Sequence, residues 1–307
     1  TPKPSSAASD VYKRQFMNYT LQTAQAKAII SSKGGELLSL QSSDGLEYVW
    51  QGDPAYWASH APHLFPYVGR LTEGRYIMDN QKHSLGIHGF FRFQELKQES
   101  LSENSVVLSL TPSPELLNQY DRNFRVVLSY KLQDSTLKIS FQAENHDSRN
   151  MYFGYGGHPG FRVPLDDTLQ FQDYYLDFSD NCQPVAIGMS PTCYVQGKDL
   201  PVLLEQDHIL PLRHSLFDND AIVMRNMSSA ISLRTSKNPH GVTVSYPQMP
   251  YLGLWHKPQS DAPYVCIEPW TSLPSRQDII ETFEEKHDLI VLAPGKTYQN
   301  DWEITIF

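Results

Sequence analysis

The segment FRVVLSYKLQDSTLKISFQA, residues 124–143, decides the fold class. Apolar and polar residues alternate with period two in both of its halves, and β-branched and aromatic side chains are frequent, as in strands that bury one face. The residues QDS at 133–135 separate the halves and are typical of a tight turn. The segment therefore predicts two antiparallel strands joined as a β-hairpin.

Short segments of the same kind recur on both sides of this hairpin. They are VVLSL at 106–110, AISLRT at 230–235, GVTVSY at 241–246 and WEITIF at 302–307. The 21 prolines and 17 glycines are spread along the chain as breakers, which suits many short strands. Helical periodicity is weak, and only residues 116–120 and 279–285 favour short helices. The pattern predicts an all-β sandwich with at most a few short helices.

Composition and charge restrict the class of protein. The chain has 307 residues and a formal net charge of −9 at pH 7. Nucleic acids and anionic membranes favour a basic surface, so neither is expected as a partner. The three cysteines, at 182, 193 and 266, form no CxxC pair, which argues against a disulfide framework and indicates a reducing cytoplasm. No apolar run approaches the roughly 18 residues of a membrane-spanning helix, and no signal-peptide pattern opens the chain.

The first residues differ in character from the rest. The stretch SSAASDVYKRQ, residues 5–15, looks like the in-frame translation of a sequencing adapter. We therefore expect residues 1–16 to be a non-native or disordered tail, with the native start at Met17. No linker-like stretch divides residues 17–307, which we expect to form one domain.

Two segments in the first third of the chain place an ionisable residue among apolar ones. In PYVGRLTEGRY, residues 66–76, the guanidinium of Arg70 can bind two sugar hydroxyls at once, although pairing with a structural carboxylate is the alternative. In LGIHGFFR, residues 85–92, glycine and aromatic residues flank His88. This histidine is either held where a ligand approaches closely or is a hydrogen-bonded core residue.

Two later segments have the same character. In YFGYGGHPGF, residues 152–161, glycines and a proline surround His158, so the segment is no ordinary strand interior. It either presents an imidazole from a kinked backbone or is a bulge with an incidental histidine. In YVCIEPW, residues 264–270, Glu268 lies in an apolar strand-like run, where carboxylates are rare unless paired or functional. Trp255 and Trp270 can offer faces to a pyranose ring or pack in the core.

Two histidines and a glutamate indicate acid–base chemistry, because imidazole titrates near neutral pH. The same residue types bind metals. However, no HExxH motif or i, i+4 histidine pair occurs, and Pro62 separates His60 from His63. No metal site is therefore predicted.

Taken in order, the four segments resemble the aldose 1-epimerase, or galactose mutarotase-like, superfamily and, within it, the LacX-type branch. The motifs that carry the resemblance are the arginine segment at 66–71, the HG pair at 88–89, GGHPGF at 156–161 and CIEPW at 266–270. The resemblance implies a β-supersandwich with a sugar site on one concave sheet face. It also implies no metal or organic cofactor, and a hexose as the small-molecule partner of a monomer or homodimer.

The resemblance further assigns roles to residues of this chain. Glu268 is the expected base that takes the proton from the C1 hydroxyl, and His158 the expected acid that protonates the ring oxygen. His88 is expected to hydrogen-bond the ring oxygen or a neighbouring hydroxyl.

Sugar hydroxyls are expected to be bound by Arg70, with Trp255 as a stacking surface. A further acidic residue contacts substrate in related proteins, and Asp218 and Asp220 are both candidates. The reaction expected is interconversion of the α and β anomers by ring opening and reclosure.

One departure from the family pattern leaves the substrate open. Pro159-Gly160-Phe161 follows His158, where well-studied galactose mutarotases carry an aromatic-rich sequence. A hexose-6-phosphate 1-epimerase is the first alternative, with Arg75, Arg92 and Arg162 as conceivable phosphate ligands. A non-catalytic sugar-binding or regulatory protein is the second alternative. A glycoside hydrolase is disfavoured because only Glu268 has a suitable carboxylate setting.

Overall fold

A computed structural model describes residues 16–179 and 182–307 of the chain. The expectation of a tail concerns residues 1–16, of which residues 1–15 lie outside this description. Within it, β-strands dominate. They are β1 Asn18–Gln22, β2 Ala26–Ser31, β3 Leu37–Ser42, β4 His63–Leu64, β5 Arg75–Met78, β6 Gln81–Ser84, β7 Lys97–Leu101, β8 Ser105–Leu110, β9 Phe124–Gln133, β10 Thr136–Asn145, β11 Met151–Phe153, β12 Gly156–Gly157, β13 Gly160–Arg162, β14 Tyr174–Asp177, β15 Val185–Ala186, β16 Leu200–Pro201, β17 Ile209–Pro211, β18 Ile222–Arg225, β19 Ala230–Thr235, β20 Val242–Ser245, β21 Tyr251–Trp255, β22 Tyr264–Trp270, β23 Ile290–Leu292 and β24 Thr297–Ile306.

The largest sheet is built around the hairpin at 124–143. β9 and β10 pair along their full length, from Gln133 opposite Thr136 to Phe124 opposite Asn145. The turn uses Asp134 at φ +52°, a conformation that aspartate tolerates. The nine strands follow the order β17-β14-β19-β20-β24-β10-β9-β8-β7. The segments at 106–110, 230–235, 241–246 and 302–307 also belong to this sheet, whereas the strand-like run at 264–270 lies in another sheet. The all-β prediction is confirmed.

A second, eight-stranded sheet carries the functional candidates. Its order is β16-β15-β18-β21-β22-β12-β4, with β13 also paired to β22. In β21 and β22 the residues Leu252, Leu254, Val265 and Ile267 pack into the main hydrophobic core. Since side chains alternate along a strand, the residues between them point to the opposite face of the sheet. That opposite face is free to form a binding site.

A chain of buried hydrogen bonds joins the two sheets through His63 of β4. Trp302 Nε1 donates to the Tyr155 hydroxyl at 3.0 Å, and this hydroxyl contacts His63 Nδ1 at 3.0 Å. On the other side of the ring, His63 Nε2 contacts the Tyr130 hydroxyl, which donates to the carbonyl of Gly35 at 2.6 Å. Because Tyr130 and Trp302 belong to β9 and β24, the polar chain crosses the sandwich with each group partnered.

Three smaller sheets and a few short helices complete the fold. The smaller sheets are β1-β2-β3, β5-β6 and β11-β23. The α-helix Pro114–Gln119 lies where residues 116–120 predict one, and the side chain of Ser113 caps its N-terminus. Single 3₁₀ turns occur at Thr72–Gly74, Phe91–Phe93, Phe171–Asp173 and His214–Phe217. Among the residues described, no helix has both the length and the apolar character needed to cross a bilayer.

The second predicted helix, at 279–285, is wrong. The backbone there bonds to Ile77 instead, which donates to Glu281 at 2.8 Å and accepts from Phe283 at 2.9 Å. The ring of Phe283 also stacks on Tyr76 with centroids 3.9 Å apart. These tertiary contacts outweigh a weak local preference for helix.

Candidate active site

A pocket of about 280 Å³ opens over the free face of the eight-stranded sheet. It brings together six of the seven side chains that the sequence predicts for the site. They are Arg70, His88, His158, Asp220, Trp255 and Glu268. These residues are spread over about 200 positions of the chain, so the fold creates their proximity.

Glu268 reaches the pocket because of the alternation along β22. Val265 and Ile267 enter the main core, whereas Cys266 and Glu268 point to the opposite face. Opposite Glu268 in β21 stands Gly253, where a Cβ atom would lie 2.9 Å from the ring of Trp270. The absence of a side chain there leaves room for the ring of Trp270.

Burial sets the protonation of Glu268. Its side chain is only 2% exposed, and desolvation raises its pKa well above the usual range. The nearby carboxylate of Asp220 raises this pKa further, while contact with Trp270 acts in the opposite direction. The carboxyl group is therefore far more inclined to hold a proton than an ordinary glutamate.

His158 stands at an interruption between two short strands. β12 and β13 both pair with β22, at Gly156 and Gly160, and the residues between them leave the ladder. The backbone N–H of His158 donates to the carbonyl of Pro62 at 3.0 Å. The kinked backbone that the glycines and proline predict is thus present. It points the imidazole at the pocket, with Nε2 placed 3.2 Å from Oε2 of Glu268.

Tryptophan rings pack directly on this glycine segment. A Cβ atom at Gly156 would lie 2.7 Å from Trp270, and one at Gly160 would lie 3.0 Å from Trp57. Larger residues would displace these rings. Trp57 also stacks on the imidazole of His158, with centroids 4.7 Å apart and planes inclined by 24°. The ring of His158 is therefore fixed on one face by Trp57.

Burial lowers the pKa of His158 to about 3. The environment thus favours the neutral imidazole as well as the neutral form of Glu268. In this state the proton that the two side chains can exchange is on the carboxyl group of Glu268. The form with a Glu268 carboxylate and a His158 imidazolium has the same total charge, and the two forms differ by one proton moved between adjacent side chains.

His88 is clamped to the loop at Gly69 by two hydrogen bonds. Its backbone N–H donates to the Gly69 carbonyl at 2.9 Å, and the Gly69 N–H donates to His88 Nδ1 at 3.1 Å. Because Nδ1 is an acceptor, the neutral ring carries its proton on Nε2. Burial and the neighbouring His158 lower the pKa of His88 well below the usual range. The ring meets His158 edge-on at a centroid distance of 5.5 Å, and so presents a neutral donor beside the pair.

Arg70 is exposed at the pocket, and its backbone carbonyl accepts from Ser275 at 2.9 Å. Within the described part of the chain, no carboxylate lies at ion-pair distance from it, so pairing with a structural carboxylate is not observed. Its guanidinium and the carboxylate of Asp220 both act on the thiol of Cys193, which places all three side chains close together. Burial and Asp220 raise the pKa of that thiol to about 11.

Asp218 is the predicted site residue that does not line this pocket. It is exposed and lines a neighbouring hollow with Pro191 and Gln259, which Asp220 also borders. Asp218 follows the 3₁₀ turn His214–Phe217, and Asp220, two residues later, has a left-handed backbone at φ +75°. Of the two aspartates that the sequence left open, the structure brings Asp220 into the pocket.

Several contributors to the pocket were not predicted from the sequence, among them Trp57, Met189 and Cys193. Trp57 lies in a loop without strand or helix pattern, and Cys193 lies in another. No local signal marks either residue, since their proximity to His158 and Asp220 arises only from the packing of distant segments. Arg92, considered from the sequence only as a phosphate ligand, also lines the pocket.

Comparison with known proteins agrees with this architecture. A profile of the aldose 1-epimerase family matches residues 17–305. The chain belongs to the aldose 1-epimerase family. It is 33% identical to the plasmid-encoded protein LacX of Lactococcus lactis subsp. lactis over 282 residues, which cover 89% of this chain and 94% of the relative.

Solved structures of similar proteins share the fold. A galactose mutarotase related enzyme from Lactobacillus acidophilus superposes with a TM-score of 0.90 at 32% identity, covering 95% of this chain and 97% of the other. A galactose mutarotase-like protein from Lactobacillus casei ATCC 334 gives a TM-score of 0.88 at 27% identity, covering 95% and 100%. The family resemblance inferred from the four motifs is therefore confirmed.

Proposed function

We propose that this member of the family is an aldose 1-epimerase that interconverts the α and β anomers of a hexose. The observation that carries the proposal is the contact of 3.2 Å between His158 Nε2 and Glu268 Oε2 at the pocket. Mutarotation needs one group to take a proton and another to give one at nearly the same time. A binding protein has no need of such a pair.

In the proposed reaction, the carboxylate of Glu268 takes the proton from the C1 hydroxyl while the imidazolium of His158 donates a proton to the ring oxygen. The C1–ring oxygen bond breaks, and the C1–O1 bond becomes the carbonyl of the open aldehyde. Rotation about C1–C2 turns the other face of the aldehyde to the ring oxygen. Reclosure moves both protons back, so the pair returns to its starting state and no cofactor is consumed.

The reacting state arises from the resting state by one proton transfer inside the pair. Burial favours a neutral Glu268 and a neutral His158 in the free site. Sugar hydroxyls entering the pocket supply hydrogen bonds that favour the charged forms. The two roles can also be exchanged. Neutral His158 then accepts the proton of the C1 hydroxyl, and protonated Glu268 donates a proton to the ring oxygen. This order of steps uses the same atoms and the same total charge.

Binding is proposed to rest on side chains around the pair. His88 donates from Nε2 to the ring oxygen or to an adjacent hydroxyl. The guanidinium of Arg70 donates hydrogen bonds to sugar hydroxyls, and the carboxylate of Asp220 accepts them. Trp255 offers a ring face to the apolar side of a pyranose. The pocket, at about 280 Å³, suits one monosaccharide rather than a longer saccharide.

A phosphorylated hexose is the second candidate substrate, and one residue favours it. Arg92 lines the pocket, and its buried Nε has no hydrogen-bond partner in the structure. A phosphate oxygen is a strong acceptor for a guanidinium. Arg75 and Arg162, the other arginines considered from the sequence, do not line this pocket.

We also propose that the protein works in a reducing compartment, the cytoplasm, as a monomer or homodimer. The support is chemical. Cys193 and Cys266 are free thiols, and free thiols persist where glutathione keeps them reduced.

Polarimetry tests the proposed activity and ranks its substrates. Freshly dissolved α-D-glucose, α-D-galactose and the corresponding 6-phosphates are followed to equilibrium with and without the purified protein. We expect equilibration faster than the spontaneous rate for at least one free hexose. A rate enhancement confined to the 6-phosphates would move the assignment to a hexose-6-phosphate 1-epimerase, and no enhancement for any sugar would leave a sugar-binding protein.

A further inference from the structure

A buried thiol stands beside the proposed acid–base pair, and the reaction makes no use of it. Cys266 precedes Glu268 by two residues in β22, so both side chains point to the same face of the sheet. Cys266 is fully buried, beneath the aromatic cluster that includes Trp57 and Trp255. One donor atom from each of His158, Cys266 and Glu268 lies within 4.8 Å of the other two.

The carboxylate donor of this cluster is not used up by other contacts. Oε2 of Glu268, which lies 3.2 Å from His158 Nε2, is buried and has no hydrogen-bond partner in the structure. The side chains of His158 and Glu268 are 9% and 2% exposed. Buried polar atoms without partners are costly, and a bound ligand is one of the ways in which proteins satisfy them.

The spacing of the donors matches a small tetrahedral ion. Imidazole nitrogen and carboxylate oxygen each lie about 2.0–2.2 Å from Zn²⁺, so two such ligands at the tetrahedral angle are about 3.3 Å apart. The observed distance between His158 Nε2 and Glu268 Oε2 is 3.2 Å. The sulfur of Cys266 lies within 4.8 Å of the other two donors, against about 3.5 Å for a thiolate and a nitrogen or oxygen ligand on one Zn²⁺.

The chemistry of the set selects the ion. A thiolate, an imidazole and a carboxylate suit Zn²⁺, whereas Mg²⁺ and Ca²⁺ prefer oxygen ligands. Three protein ligands leave a fourth position for water or a sugar hydroxyl. Glu268 and His158 line the open pocket, which gives the ion a route to the cluster, while Cys266 lies behind them.

We propose that His158, Cys266 and Glu268 form an inhibitory site for Zn²⁺ that competes with the sugar. Binding releases the thiol proton and the proton of the acid–base pair to solvent, and the ion takes their place. The two catalytic side chains then hold the metal and transfer no proton. The ion is an inhibitor in this scheme and takes no part in the epimerase reaction. The existence of the site is independent of the proposed function, but its inhibitory effect rests on that function.

Direct metal binding provides the test. Co²⁺ is titrated into the metal-free wild-type protein and into C266A, and the near-ultraviolet thiolate-to-cobalt charge-transfer band is recorded. Zn²⁺ binding to both proteins is measured by calorimetry. C266S is a second variant of nearly native shape, in case C266A folds poorly. C182S is the matched control, because Cys182 lines a different hollow of the surface.

We expect a cobalt band in the wild type and in C182S that disappears in both Cys266 variants. Loss of this ligand should weaken Zn²⁺ binding by at least about tenfold. Even residues that only hydrogen-bond a metal ligand typically change metal affinity by about that factor or more. No band in the wild type, or Zn²⁺ affinity unchanged in the Cys266 variants, would overturn the site.

The inhibitory effect is tested separately by polarimetry. Zn²⁺ should raise the apparent KM of the wild type without lowering kcat, and Cys266 variants should keep metal-free activity yet need at least about tenfold more Zn²⁺ for inhibition. Inhibition that excess sugar does not relieve would contradict the competition. A protein that shows no epimerase activity in the absence of metal would remove the proposed function, while the cobalt band would still decide the metal site.

Discussion

Glu268 and His158 are adjacent because β12, β13 and β22 share one sheet, and burial keeps both side chains close to neutral. A glutamine resembles the protonated carboxylic acid in size and charge. The variant Glu268→Gln should therefore fold like the wild type, yet it has lost the ability to exchange a proton.

The first prediction concerns these two residues. E268Q and H158N should each lower kcat for mutarotation by at least about 100-fold, the lower range for loss of general acid–base catalysis. Thermal unfolding followed by circular dichroism is the control for folding. Either variant retaining wild-type turnover would refute the assigned roles.

The second prediction separates the two aspartates. Asp220 lines the pocket and Asp218 does not, so D220N should lower kcat/KM by about tenfold or more, as expected for loss of a hydrogen bond to a charged group. Asparagine also tolerates the positive φ of +75° at this position. D218N is the matched control and should stay within about twofold of wild type. Equal effects of the two substitutions would count against the placement of Asp220.

At the scale of elements, the loop that carries His88 depends on Gly89. This residue has φ +72°, and a Cβ atom there would lie 2.2 Å from the carbonyl oxygen of Phe65. Neither the conformation nor the space admits a side chain. The position of the imidazole therefore depends on its glycine neighbour.

The third prediction follows from that loop. G89A should reduce the free energy of unfolding by at least about 2 kcal/mol, since left-handed backbone costs 1–2 kcal/mol without the steric contact. It should also lower kcat because His88 moves. G86A is the control, because no atom lies within 4 Å of its added Cβ. Its free energy of unfolding, measured with urea, should be close to that of the wild type. Similar stability of the two variants would contradict this account.

Elements whose signal is local were predictable, and those that depend on distant partners were not. The hairpin of β9 and β10 was evident because period-two alternation and the turn at 133–135 lie within 20 residues. The strand around Glu268 was also recognisable. Its pairing with β12 and β13, more than 100 residues earlier, has no local signature, and residues 279–285 form turns because of contacts to Ile77.

At the scale of the whole molecule, buried histidines link folding to pH, and His63 and His158 are two of them. Burial lowers the pKa of His63 and of His158 to about 3, against an ordinary value of 6.5. The unfolded chain therefore binds protons first as the pH falls. The stability that these neutral rings contribute is present above pH 6.5 and is lost between pH 6.5 and about 3. Glu268 acts in the opposite sense, because its raised pKa favours the folded state below 4.5 and less as pH rises.

The fourth prediction isolates His63, which takes no part in the pocket. Moving from pH 7.5 to 5.5 should cost about 1 kcal/mol of unfolding free energy for each buried histidine. In H63Q this pH-dependent loss should shrink by about 1 kcal/mol, although the variant starts from lower stability because the polar chain is broken. Urea unfolding at the two pH values measures both. An unchanged pH dependence in H63Q would show that His63 titrates normally.

The site as a whole was predictable to the extent that its residues lie in recognisable motifs. Arg70, His88, His158 and Glu268 belong to such motifs, and the pocket brings them together. Trp57 and Cys193 come from irregular loops whose positions depend on the packing of the complete sandwich. The sequence also does not reveal which of Asp218 and Asp220 lines the pocket, because the two residues lie in one irregular segment.

Exchange NMR of a hexose at anomeric equilibrium tests the central claim most directly. The sample holds glucose or galactose with catalytic protein, and magnetisation transfer between the α and β H1 signals reports interconversion without any net reaction. We predict transfer well above the spontaneous rate with the wild type and only the spontaneous rate with E268Q. Transfer at the spontaneous rate with the wild type, or equally fast transfer with E268Q, would contradict the account of an epimerase that works through Glu268 and His158.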